Sequence, residues 1–142
     1  MRRRFNYTAM GDTVNLAARL EGANKGYGTS ILVSQATREA AGDAVAWREI
    51  DRVRVVGRQA PVGLFEPLGL AGAAPPARLT LAAAFAAALD SYRLRRFAEA
   101  TARFAALAGE DEVSRRYAVR AERLRAEPPP DSWDGVTTLE SK

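Results

Sequence analysis

Cysteine and histidine are both absent from this 142-residue sequence. Without Cys there is no disulfide and no thiolate metal site, a composition that suits a reducing compartment. Without His the chain cannot supply an imidazole base or a Ser-His-Asp triad, and its only metal-ligating side chains are oxygens. No apolar run approaches the roughly 20 residues of a membrane span, and the opening MRRRFNYT lacks the apolar stretch of a signal peptide. The chain is therefore expected to be cytoplasmic and to carry no membrane segment; an anchor of a full-length protein would lie upstream.

What is present is ordinary for a folded protein: 47% apolar and 27% charged residues. The length allows one domain, or a small domain with an appendage. The 21 basic residues outnumber the 17 acidic ones by four, and 19 of the 21 are Arg. They are dispersed among acids, with Arg2 to Arg4 the only compact run, so most are read as solvated faces. Nucleic acid is not expected as a partner.

A Gly/Ala/Pro-rich stretch divides the chain. Residues 1–68 form a first unit, 69–78 a linker, 79–127 a helical unit and 128–142 an extended tail. In the first unit, Phe5 to Ala9 reads as a strand, Gly11-Asp12 as turn and cap, and Thr13 to Asn24 as a helix ended by Gly26 and Gly28. Ser30 to Val33 is a short strand, and Ser34 can cap a helix from Gln35 to Ala41. Val53 and Val55 alternate with Arg52 and Arg54 within a strand from Trp47 to Val56. Gly57 to Pro61 turns the chain into a partner strand, Val62 to Leu68. The order is βαβαββ.

The helical unit should comprise Leu79 to Leu94, Phe97 to Ala108 and Glu112 to Ala126, the last ended by Pro128-Pro129-Pro130. Helices this short are marginal in isolation and need a shared apolar seam. Phe85, Leu89, Tyr92, Phe97, Phe104 and Leu107 are the candidates, with Ala88 and Ala100 allowing close approach. Trp133 reads as a packing anchor.

The segment richest in chemistry is Tyr7 to Glu21, YTAMGDTVNLAARLE. Asn15 and Arg19 are four apart and share a helix face. An amide and a guanidinium projecting together can hold a phosphate whose charge shifts during a reaction. An Asn/Arg pair by itself more often has a structural role, with Arg19 paired to Asp12 or Glu21 and Asn15 facing solvent. Over its fifteen residues, however, the segment resembles the signature of the class III adenylate/guanylate cyclase catalytic domain.

The resemblance continues through TSILVS and RVRVVGRQAPVGLFEPLG. It implies a ferredoxin-like cyclase fold, present here in part, followed by an all-α hairpin with a third helix. It implies that Asn15 orients the ribose, that Arg19 stabilises the α-phosphate transition state, and that Thr8 occupies the base-selecting position. A hydroxyl at Thr8 leans towards ATP. Arg58 falls where the family has a basic residue for the terminal phosphates, although it also fits an exposed turn arginine, and Val56 replaces the family's first basic residue there.

The resemblance also implies what is missing. The family holds Mg or Mn on two Asp residues that lie upstream of this segment, so Met1 is read as a truncation, an internal start or a gene-model boundary. Asp12 is read as a cap, and Glu21, Asp43 and Asp51 as surface residues, leaving no metal ligand to assign. Missing strands would leave unpaired edges and an uncovered apolar face, so residues 1–68 alone are expected to be less stable than a complete domain.

Residues from about 80 to 126 resemble one tetratricopeptide-type hairpin with a capping helix, and the tail ending PPPDSWDGVTTLESK resembles that of some bacterial cyclases. The expected role is part of a nucleotide cyclase that converts ATP to cyclic AMP and pyrophosphate, inactive alone and completed by a homodimer or a complementing cyclase domain. The alternative is a non-catalytic protein-interaction module derived from a cyclase.

Overall fold

The computed structural model describes residues 20–55 and 60–139. The expected strand Phe5 to Ala9 and most of the turn Gly57 to Pro61 lie outside them. Residues 20–27 are helical (α1). Then follow β1 (Val33–Ser34), α2 (Gln35–Ala41), a 3-10 turn (Gly42–Ala44), β2 (Val45–Val55), β3 (Val62–Leu70), α3 (Pro76–Arg93), α4 (Phe97–Leu107), α5 (Glu112–Ala126) and β4 (Thr137–Leu139). The described residues thus form a mixed α/β structure with a four-stranded sheet and five α-helices.

Local chemistry explains most boundaries. The side chain of Ser34 accepts from the Thr37 N–H at 3.3 Å, giving α2 its N-cap. Pro75 and Pro76 open α3, where a missing N–H costs nothing. Asp111 caps α5 by accepting from the Ser114 N–H at 3.1 Å. α1 runs past Gly26 and stops at Gly28, whose φ of 80° closes the helix with a 2.8 Å bond to the Asn24 carbonyl.

The sheet order is β1-β3-β2-β4. β2 and β3 form an antiparallel hairpin in which Asp51 pairs with Leu64 and Glu49 with Phe65, leaving Ile50 as the extra residue of a bulge. β4 lies parallel to β2, with Val53 opposite Thr137 and Val55 opposite Leu139. This strand comes from the tail, so the polypeptide returns to the sheet after its three long helices.

The sheet's apolar face is covered by those helices. Ile50, Val53 and Leu64 belong to one buried cluster with Phe85, Tyr92, Phe104 and Tyr117, and this cluster also takes in Leu20 and Tyr27 of α1. Of the expected helical seam, Phe85, Leu89, Tyr92, Phe97 and Phe104 are buried and Leu107 is partly buried against it, while Ala88 and Ala100 are fully buried. Trp133 packs edge-on against Tyr92 and Phe97, with ring centroids 5.5 and 5.4 Å apart.

The α3–α4 turn contains a left-handed arginine, Arg95 at φ 66°, a conformation costly for a residue with a Cβ. Its guanidinium donates to the carbonyls of Pro129 and Pro130 at 2.7 and 3.1 Å, which offsets that cost and ties the turn to the tail.

Candidate functional site

Thr8, Asn15, Arg19 and Arg58 all lie outside the described residues. Arg58 belongs to the connection between β2 and β3, and Arg19 is bonded to Leu20, the first described residue of α1. What the structure does show is how the end of α1 is seated. Leu20 and Tyr27 are buried and Ala23 packs partly against the same cluster, a spacing of three and four that presents one helix face to the core.

Two sequence readings require correction at this seat. Asp51 was expected at the surface and is instead fully buried. It lies in phase with Val53, which is equally buried, so the inward parity of β2 carries a carboxylate into the core. The carboxylate is fully engaged: Tyr27 donates its hydroxyl to Oδ2, Thr137 donates to Oδ2 at 2.7 Å, and the Arg52 N–H donates to Oδ1 at 2.7 Å. Arg120 of α5 completes the shell, with Nη1 3.5 Å from Oδ2 and 3.3 Å from the Thr137 hydroxyl.

Most of the arginines were read as solvated faces, and Arg48 departs from that reading at only 6% exposed. It donates to Glu66 at 2.6 Å and to Asp111 at 2.8 Å, and its guanidinium lies 4.8 Å from the centre of the Phe85 ring. Arg120 likewise lies over Tyr117 and Tyr27, at 4.8 and 5.5 Å. A buried charge needs such partners because losing water costs several kcal/mol per ion.

The electrostatics follow from this arrangement. Burial, then the nearby Asp51 carboxylate, pushes the Tyr27 hydroxyl well above its ordinary value. The same two causes raise Tyr117, whose hydroxyl instead donates to the Ile50 carbonyl at 2.8 Å, a backbone group left outside the ladder by the bulge. Burial works against the charge of Arg120, but Tyr117, Asp51 and Tyr27 outweigh it and hold the guanidinium protonated. For Asp111, burial favours the neutral acid, but hydrogen bonds from Arg48 and Ser114 prevail and lower its pKa.

Beside Arg48 lies a cleft of about 280 Å³ lined in part by Glu66, Leu68, Arg78, Glu110 and Asp111. The buried Arg48 is already committed to two carboxylates, and the exposed Arg78 donates only to the Leu68 carbonyl, at 3.3 Å. Among the described residues no group of three or more acidic side chains is placed to hold a metal ion. Asp51, Glu66 and Asp111 are each engaged by arginine. The described donor set therefore does not fit the divalent ion that the family resemblance implies. Also among the described residues, no helix is long and apolar enough to cross a membrane.

No family model and no solved structure matches the chain. Two curated proteins do match part of it. Adenylate cyclase 1 of Rhizobium meliloti (strain 1021) is 46% identical over 67 residues, which is 47% of this chain and 10% of that protein. The terminal-differentiation-specific adenylate cyclase of Dictyostelium discoideum is 42% identical over 66 residues, 44% of this chain and 3% of that protein. The chain thus spans a small fraction of the length of these relatives, and over almost half of its own length it is related to adenylate cyclases.

Proposed function

We propose that this chain is part of a class III nucleotide cyclase acting on ATP at the cytoplasmic side, and that it supplies the half of the active site that meets the transition state. In the reaction a bond forms between the ribose 3'-oxygen and the α-phosphorus, while the bond to the β-phosphate oxygen breaks and pyrophosphate leaves. Asn15 would orient the ribose, and Arg19 would neutralise charge growing on the α-phosphate, where a fixed guanidinium is most effective. Thr8 would contact the base through its hydroxyl and Arg58 the terminal phosphates. Mg or Mn would be held by carboxylates supplied outside this chain, through a homodimer of the longer protein or a complementing cyclase domain.

The observation that carries this reading is the relatedness to adenylate cyclases over nearly half the chain, taken with the fifteen residues YTAMGDTVNLAARLE. An ATP-to-cyclic-AMP assay with Mg or Mn tests it. The chain alone should give no product. Mixed with a cyclase domain that keeps its metal carboxylates but has lost its own Asn and Arg, it should restore turnover. Turnover by the chain alone would show that no complementing carboxylates are needed, and a silent mixture would count against the catalytic reading.

A further inference from the structure

The C-terminal end of α1 is gripped by residues that arrive about ninety positions later in the chain. Carbonyls in the last turn of a helix have no partner within it. Here Arg116 of α5 supplies one, its Nη1 donating to the Lys25 carbonyl at 2.6 Å and, at 3.4 Å, to that of Gly26. A guanidinium at this end also complements the helix dipole. Arg116 is in turn aimed by Glu112, which accepts from its Nε at 2.7 Å. Gly28 passes so close to α5 that a Cβ there would overlap Glu112 Cγ.

Beside this cap, Tyr27 is fixed in rotation. Its hydroxyl is tied to Asp51, its ring stacks on Tyr117 with centroids 6.3 Å apart, and Arg120 covers both rings. Asp51 is also held by Thr137 of β4. Apolar packing alone would let a helix slide or roll at little cost, whereas this set of hydrogen bonds is satisfied in one placement only.

We infer that α5 and β4 form a positioning clamp for α1: Arg116 fixes the helix along its axis, and the Tyr27–Asp51–Arg120–Thr137 group fixes its rotation. Arg19 immediately precedes Leu20 in the chain, so the clamp bears on the segment that leads into it. This functional half of the inference rests on the cyclase reading above. A misplacement of about 1 Å can cost on the order of a hundredfold in rate. A loosened clamp therefore lowers kcat and leaves the KM for ATP in place. Arg116 and Arg120 are positioning residues in this reading, since each is committed to α1 or its seat.

Hydrogen exchange on the full 142-residue chain tests the clamp without any activity. Arg116→Ala, a change at a largely solvated side chain, should speed exchange over residues 20–29 severalfold while α3 and α4 stay as they were. Arg116→Lys should restore part of the protection. Arg120→Gln should loosen the same segment, and if that variant unfolds, Arg116→Ala decides alone. Unchanged exchange over residues 20–29 in Arg116→Ala overturns the clamp.

In the mixed ATP assay, Arg116→Ala should lower kcat tenfold or more at unchanged KM, with partial recovery in Arg116→Lys. Faster exchange with unchanged kcat would overturn the link to catalysis and leave the cyclase reading standing. A mixture that makes no cyclic AMP even without substitutions counts against that reading, while the exchange result still decides the clamp.

Discussion

The two large interfaces of this molecule are built from different materials. Where α3, α4 and α5 meet, contact is made by rings and small residues: Phe85 against Phe104, Tyr92 against Phe97, with Ala88 and Ala100 fully buried between them. Where the helices meet the sheet and α1, the rings are joined by ions, half-buried Arg120 with buried Asp51 and buried Arg48 with Glu66 and Asp111. An apolar seam is non-directional and tolerates reshaping, because its energy scales with the area buried. A buried ion pair does not tolerate loss of one member, since the other is left stranded. The contrast suits a helical unit that must hold itself together and also present one defined orientation to α1.

The largest expected effect comes from breaking the ionic seam. Arg48→Met removes the charge and keeps most of the side-chain volume, so Glu66 and Asp111 are left without their partner. A loss of about 3–5 kcal/mol is expected, measured from the denaturant midpoint. Replacing the partners as well, with Glu66→Leu and Asp111→Asn, should recover much of this. A volume-conserving change in the apolar seam, Leu89→Met, should cost less than about 1.5 kcal/mol. Equal losses in Arg48→Met and Leu89→Met would erase the distinction between the two interfaces.

A high-pH measurement sharpens the same comparison. Burial raises Tyr27, Tyr92 and Tyr117 above the ordinary value of 10.0, and Asp51 adds to each. The stabilising effect of keeping a phenol neutral in the folded state is fully present below pH 10. Above it the unfolded chain loses its protons first, so stability falls with a slope of about 1.4 kcal/mol per pH unit for each tyrosine. Tyr27→Phe and Tyr117→Phe should each flatten that slope; an unchanged slope would mean that these hydroxyls are not buried beside a carboxylate.

The smallest effect is on the acid side. Asp111 is held below its ordinary 3.8 by Arg48 and Ser114 despite its burial. Its contribution is present above pH 3.8 and disappears as the pH falls through the lowered value. Asp111→Asn should therefore weaken the acid dependence of unfolding while keeping the side-chain oxygen that caps α5.

Much of this architecture was legible in the sequence because its signals are local. Ser34 as a cap, the 112–126 helix before the triple proline and the β2–β3 hairpin each follow from neighbouring residues. The parts that escaped depend on distant pairing. Nothing within Thr137–Leu139 distinguishes a strand from any extended tail; it becomes one by lying against β2, more than eighty residues earlier. Gly26 and Gly28 together mark the end of α1, and the helix closes at Gly28, but nothing local shows that Arg116 satisfies its last carbonyls.

Asp51 was misread through its chemistry, although its phase with Val53 carried the correct answer. Arg48 and Arg120 illustrate the same point. An arginine count describes charge, and only the fold decides which guanidiniums are buried. The candidate site stands at the other extreme: Thr8, Asn15, Arg19 and Arg58 were identified through sequence resemblance, and what the structure adds is the anchorage of α1, whose first described residue follows Arg19.

The central claim is most directly tested by Arg19→Ala in the mixed cyclase assay at saturating ATP. A group that meets charge only in the transition state should take kcat down on the order of 10²–10³-fold when removed, with the KM for ATP changed little. A kcat equal to that of the unsubstituted chain would contradict the account.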